Sequence, residues 1–106
     1  MPAEDASFMQ VVSEMYRLFG TRRMMELLGW GTMIGATVRD GDGPAEVRER
    51  LMSMGFSRAA AFRALADLRA LSRSLEERRG ETVPMSEVLR EINASDKSLM
   101  RDFVVK

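Results

Sequence analysis

The side chains with the clearest chemical potential in this sequence are arginines, since only Lys97 and Lys106 among the 16 basic residues are lysines. A guanidinium presents a planar fork of donors that matches a carboxylate, a phosphate, or the O6 and N7 acceptors of guanine. Between Ser57 and Arg73 the sequence has four arginines and one acid, Asp67. This stretch is therefore a candidate basic surface, although ion pairs within the protein would account for the same arginine bias.

Catalytic and metal chemistry has few candidate residues here. The chain has no cysteine and no histidine, which removes thiolate and imidazole nucleophiles, bases and zinc ligands. It also has no glycine-rich phosphate loop and no carboxylate pair in a recognisable pocket setting. The Asp-Gly-Asp-Gly turn at 40–43 does not fit a calcium loop, because Pro44 and Ala45 occupy positions that need a ligand and a glycine. We therefore expect a protein that is not an enzyme and that binds no metal or cofactor.

The segment Gly55 to Leu65, GFSRAAAFRAL, has the residue order of a helix–turn–helix unit. Gly55 supplies the permissive backbone that a tight turn between two helices needs. Phe56 is suited to be an apolar plug under that turn. Ser57 is suited to be the N-cap of the second helix.

This segment resembles the string G-(I/V)-S-R-x-T-x-Y-R-x-L in the turn and recognition helix of many bacterial and phage helix–turn–helix regulators. The matching residues are Gly55, Phe56, Ser57, Arg58, Phe62, Arg63 and Leu65. Ala60 stands where the family usually has threonine, and Phe62 replaces the usual tyrosine. The resemblance covers roughly Pro44 to Leu71, and it implies a DNA-binding domain whose second helix enters the major groove of double-stranded DNA.

The resemblance also implies two sets of contact residues. The N-terminal residues of a recognition helix face the base edges, where arginine can pair with guanine and Ala59 could touch a thymine methyl group. The candidate base contacts are Ser57, Arg58, Ala59 and Arg63. The candidate phosphate contacts, which would set register without reading sequence, are Arg48, Arg50, Arg69 and Arg73.

Apolar spacing predicts a mainly α-helical fold with five or six helices. A first helix over residues 7–20, capped by Ser7 and ended by Gly20, has a wide apolar stripe made of Phe8, Val11, Val12, Met15, Leu18 and Phe19. This stripe is suited either to the core of its own domain or to a homodimer interface. The homodimer interface is an alternative because a chain of 106 residues buries, on folding, only about two-thirds of the surface that the unfolded chain exposes. Two such chains could therefore share a core.

The middle of the chain has weaker signals. A short helix from Arg22 to Leu28, capped by Thr21, precedes three glycines that predict a break in helical structure. We expect an extended connector there, or at most one short strand near Thr32 to Val38.

Three further helices follow from the pattern. Pro44 opens the first, which runs to Met54 with an inner stripe of Val47, Leu51 and Met54. The second runs from Ser57 to Arg79 before Gly80, with a buried stripe of Ala61, Leu65, Leu68, Leu71 and Leu75. Its opposite face holds Ala59, Arg63, Ala66, Ala70, Arg73 and Ser74. A C-terminal helical extension over residues 84–104 has an apolar stripe of Met85, Val88, Leu89 and Ile92, and then a last segment around Leu99 and Phe103.

Two functional hypotheses remain open for what we expect to be a single domain over residues 1–106. The first is a sequence-specific, homodimeric DNA-binding transcription regulator, favoured by eight arginines against five acids from Pro44 to Arg79. The alternative is a helical protein–protein interaction module without DNA binding. It is favoured by the net charge of zero and by small residues on the long helix, such as Ala66 and Ala70. No secretory signal or membrane-spanning run is visible, which predicts a cytoplasmic location.

Overall fold

Every regular element in residues 3–39 and 41–93, the part of the chain that this computed structural model describes, is an α-helix. The helices are α1 (Ala3–Gly35), α2 (Pro44–Ser53), α3 (Arg58–Arg79) and α4 (residues 85–93). The predicted all-α class is therefore confirmed. The predicted segment around Leu99 and Phe103 lies outside the described residues. No helix within these ranges is long and apolar enough to cross a bilayer.

Helix α1 bends at Gly20, which has φ 81° and ψ 173°, a conformation essentially restricted to glycine. The predicted break at Gly20 is present, but helical structure resumes at once, so α1 consists of an N-terminal arm (residues 3–19) and a C-terminal arm (residues 21–35). The prediction of Ser7 as N-cap is wrong, since the helix begins at Ala3. The preceding residues, AEDA at 3–6, are compatible with a helix start, because alanine is a strong helix former and acids are favourable in a first turn.

The predicted break at Gly29, Gly31 and Gly35 is wrong, and residues 32–38 form no strand. The C-terminal arm runs as a helix through Gly29 and Gly31 to Gly35. A Cβ atom on Gly35 would lie 2.4 Å from the carbonyl oxygen of Leu89, and one on Gly31 would lie 2.9 Å from Ile92 Cγ2. Helix α4 therefore packs directly on the glycine backbone, and this tertiary contact offsets the poor helix propensity of glycine.

The turn between α2 and α3 has the hydrogen bonds of a Schellman motif. The amide of Phe56 donates to the Leu51 carbonyl at 3.1 Å, and the amide of Gly55 donates to the Met52 carbonyl at 3.1 Å. Gly55 takes φ 99°, which explains why the turn needs glycine. Phe56 packs on the core beside Leu51, as the sequence predicted. The predicted burial of Met54 is wrong, because α2 ends at Ser53 and Met54 is the C-cap, 41% exposed.

Helix α3 has both of its predicted caps. The Ser57 hydroxyl accepts a hydrogen bond from the Ala60 amide at 3.1 Å, and Gly80 ends the helix in the left-handed conformation. The predicted buried stripe of α3 is confirmed at all five positions: Ala61, Leu65, Leu68, Leu71 and Leu75. The predicted exposure of Ser74 is wrong, because its hydroxyl is buried against the Glu14 carboxylate of α1.

The core consists of two apolar clusters arranged along α3. The N-terminal half of α3 packs with α2 and Ile34 of α1, and the C-terminal half packs with Val11 and Met15 of α1. Trp30 contacts both clusters. The stripe predicted for the last helix, Met85, Val88, Leu89 and Ile92, is buried at every position. Because α3 is anchored along its length, its opposite side is held facing solvent.

Candidate nucleic-acid interface

The exposed side of α3 combines arginines with small and aromatic apolar residues. Successive residues on a helix are rotated by about 100°, so the residues opposite the buried stripe share one surface. We call this surface the α3 face; its members are Arg58, Ala59, Phe62, Arg63, Ala66, Arg69, Ala70 and Arg73, all exposed. Six of the eight residues that the sequence proposed for DNA contact lie on or beside it, namely these four arginines, Ala59 and the adjoining cap Ser57.

The charge of the α3 face is not compensated within the described residues. No ion pair and no side-chain hydrogen bond joins its four arginines, Arg58, Arg63, Arg69 and Arg73, to another described residue. Exposed guanidiniums without carboxylate partners are available for an external anion. The four positive charges therefore form a basic surface about 22 Å long, since 15 residues of helix separate Arg58 from Arg73.

The single acid in this part of α3 is engaged by another helix. The Nε atom of Arg23, on α1, donates to the Asp67 carboxylate at 2.6 Å, and its Nη1 atom donates to Glu26 at 2.8 Å. The guanidinium also lies 4.7 Å from the centre of the Trp30 ring, within range of a cation–π interaction. Burial pushes the pKa of Arg23 down, but the hydrogen bonds and charges of Asp67 and Glu26 raise it above its ordinary value. Asp67 is thus neutralised away from the α3 face.

The two candidate phosphate contacts on α2 differ in their surroundings. Arg50 donates to the Asp42 carboxylate at 2.9 Å, so its charge is compensated by the turn that precedes α2. The pKa of Asp42 is lowered chiefly by a hydrogen bond from the Arg39 amide, with burial opposing and Arg50 assisting. Arg48 lies 5.7 Å from the centre of the Phe62 ring, where it extends the α3 face toward α2. Two of the eight proposed residues are thus paired with a carboxylate: Arg50 closely with Asp42, and Arg48 more loosely with the exposed Glu49 at 3.9 Å.

Phe62 is a member of the α3 face that sequence reasoning did not include among the contact residues. Its side chain is 51% exposed, although phenylalanine has no polar group to solvate. The sequence did contain a signal, because Phe62 falls outside the buried stripe that passes through Ala61 and Leu65. Together with the neighbouring alanines of the α3 face, Phe62 forms apolar surface beside the arginines that a bound partner could cover.

The proposed dimer helix corresponds to the N-terminal arm of α1, and the chain itself buries part of its stripe. Val11 and Met15 have no exposed surface, since both pack in the core against α3 and α4. Phe8, Val12 and Phe19 are half-buried and Leu18 is exposed. Within residues 8–19, the most exposed large apolar side chains are Met9 and Tyr16, which lie one above the other at i and i+7 and were not in the predicted set.

Comparison with known proteins identifies no relative. Neither a protein-family model, nor a curated protein, nor a solved structure matches this chain. Within residues 8–39 and 41–93, no three histidine, cysteine or acidic side chains are grouped so that they could hold a metal ion.

Proposed function

We propose that this protein is a sequence-specific DNA-binding regulator of transcription, which acts as a homodimer with α3 in the major groove of double-stranded DNA. The observation that carries the proposal is the row of four arginines on α3 that have no acidic partner in the described chain. The proposed activity is binding alone, in the cytoplasm, without catalysis, metal or cofactor.

Because α3 is long, its arginines are expected to take two roles, contact with base edges and contact with phosphates. The major groove is about 12 Å wide, whereas the basic row extends for about 22 Å. Arg58 and Arg63, within about 8 Å of each other along the axis, can both face base edges. Arg69 and Arg73 then lie beyond the groove, where the helix passes the phosphate backbone and guanidiniums bind phosphate oxygens. Arg48 on α2 is placed beside the same row and would add a further phosphate contact.

Substituting these arginines is expected to weaken DNA binding in two different ways. Arg58→Ala or Arg63→Ala should cost about 1–3 kcal/mol of binding free energy and relax the preference at one base pair. Arg73→Ala should weaken binding to all sequences alike and reduce the salt slope of binding by about one unit. The measurement is titration of a site selected from random duplexes, at several salt concentrations.

A matched control for this titration is Arg22→Ala, because Arg22 is 97% exposed but lies on α1, outside the α3 face. It should leave both affinity and salt slope close to those of the wild type. A wild-type protein that selects no sequence, or arginine variants on α3 that bind as the wild type does, would refute the proposed function.

Dimerisation through the N-terminal arm of α1 is the second part of the proposal, since one recognition helix reads only a few base pairs. The double change Met9→Glu and Tyr16→Glu is expected to give folded monomers in sedimentation, because both side chains are exposed in the single chain. Met15→Asp is unsuitable for this purpose, as it would place a carboxylate in the core. A wild type that sediments as a monomer at all concentrations would contradict the dimer.

A second candidate function is that of a helical protein–protein interaction module without DNA binding. It is favoured by the exposed methionines Met25 and Met33 on the C-terminal arm of α1, which flank Gly29 at four-residue spacing. Flexible thioethers adapt to the surface of a partner helix. Saturable, sequence-selective DNA binding would favour the first function, and no binding even at low salt would favour this one.

A further inference from the structure

We propose that Phe62, together with Ala59 and Ala66, contacts thymine methyl groups in the major groove, so that the preferred DNA site combines guanine with thymine. This inference rests on the proposed DNA-binding function and adds the class of base that the α3 face reads. It assigns Phe62 as a residue that determines specificity.

The apolar residues of the α3 face form one continuous strip. With about 100° of rotation per residue, Ala59, Phe62 and Ala66 fall within about 60° of each other around the helix axis. Arg58 lies on one side of this strip and Arg63 on the other. All five side chains are exposed. A helix that lies in the major groove with its arginines at base edges must therefore also present the apolar strip to the bases.

The hydrogen-bonding groups of the α3 face limit which bases it can read. From residue 58 to residue 71 the sequence has no asparagine, glutamine, serine, threonine or glutamate, and its one aspartate, Asp67, is bound to Arg23. The adjoining Ser57 accepts a hydrogen bond from the Ala60 amide, and a hydroxyl can pair with several bases, so it does not select one. The face thus lacks the amide that pairs with adenine N6 and N7 and a free carboxylate that accepts from cytosine N4. Guanidiniums can read guanine, and the C5-methyl of thymine is the feature of the groove that an apolar surface contacts.

The environment of Phe62 suits this role. Its ring is half exposed in the free protein, where apolar surface is hydrated at a cost in free energy. The Arg48 guanidinium lies 5.7 Å from the ring centre, within range of a cation–π interaction. Closing the ring against a methyl group would remove apolar surface of both partners from water. The contact would thus contribute to affinity at sites that carry thymine at that position.

The experiment replaces single thymines of the selected duplex by deoxyuridine, which keeps the base-pairing groups and lacks only the methyl group. Wild-type protein is expected to lose about fourfold in affinity for each contacted methyl, the effect of one buried methylene-sized group. The Phe62→Ala variant should bind the thymine duplex more weakly than wild type and should not distinguish thymine from deoxyuridine at the position that Phe62 contacts. Met33→Ala, which truncates an exposed side chain on α1, is the matched control and should keep the wild-type response.

The outcomes separate this inference from the proposed function. Selective DNA binding that is insensitive to deoxyuridine at every position would overturn the role of Phe62 and leave the DNA-binding function intact. An equal loss for Phe62→Ala on both duplexes would also overturn it, because the ring would then contribute to binding without contacting a thymine methyl group. A protein that selects no DNA sequence would overturn both.

Discussion

Replacing Gly35 with alanine is expected to lower the free energy of unfolding by about 3 kcal/mol, the upper part of the range for overpacking a well-packed site. The added Cβ atom would lie 2.4 Å from the backbone oxygen of Leu89 and 2.7 Å from Asn93 Cβ. Backbone atoms cannot rotate away as a side-chain end can, so α4 would have to move off α1. The measurement is chemical denaturation followed by circular dichroism, at one temperature for all variants.

The matched control is the same substitution at Gly29, six residues earlier in the same helix. A Cβ atom there meets nothing within 4 Å, and the residue is helical. Gly29→Ala is therefore expected to raise stability by about 0.5–1 kcal/mol, because alanine loses less backbone entropy than glycine in a helix. Equal effects at Gly35 and Gly29 would contradict the close packing of α4 on α1.

Lowering the pH below about 4.5 is expected to destabilise the wild type more than a Glu14→Gln variant, because Glu14 is a buried carboxylate held in its charged form. Its side chain is 4% exposed, accepts a hydrogen bond from Arg17 at 2.7 Å, and is also contacted by Ser74 and Arg78. Burial by itself would raise the pKa of Glu14. The hydrogen bonds from Arg17 and Ser74, aided by the charges of Arg17 and Arg78, outweigh it and lower the pKa below its ordinary value of 4.5.

The direction of the pH effect follows from this lowered pKa. In the unfolded chain Glu14 takes up a proton at about its ordinary pKa of 4.5, whereas in the folded protein it does so at a lower pH. Its stabilising contribution is thus complete above pH 4.5 and is lost as the pH falls through the folded pKa. Asp42, whose pKa is also lowered, contributes in the same direction and remains in the variant. Between pH 5 and 8 stability should change little, since the chain has no histidine or cysteine.

At neutral pH the Glu14→Gln variant is expected to lose about 1–3 kcal/mol, since a neutral amide replaces a carboxylate that two arginines and a serine contact. This loss of stability is smaller than the loss expected when one partner of a fully buried ion pair is removed, because Arg17 and Arg78 are half exposed and remain solvated. Glu49→Gln is the control, as Glu49 is 73% exposed on α2 and its ion pair with Arg48, at 3.9 Å, is open to solvent and contributes little to stability. Parallel pH profiles of unfolding free energy for wild type and Glu14→Gln would show that Glu14 does not carry the effect.

The features that the sequence alone determined are those that depend on a few neighbouring residues. Ser57 and Gly80 cap α3, and Gly55 forms the turn, because each requirement is satisfied within one helical turn. The buried stripes of α3 and α4 were equally predictable, since a period of 3.6 residues places their apolar side chains on one side. The arginine row followed from the same periodicity, as did the class of fold.

Only the tertiary structure decided the features that join distant parts of the chain. Local propensity predicted that Gly31 and Gly35 would break the helix, but contacts with α4, more than 50 residues away, make glycine necessary there. The position of Ser74 beside Glu14 and the pairing of Arg23 with Asp67 likewise depend on how α1 crosses α3. These pairings determine which charges are neutralised, and therefore which arginines face solvent unpaired. Periodicity places a side chain on a face, whereas its partner depends on which helix packs there.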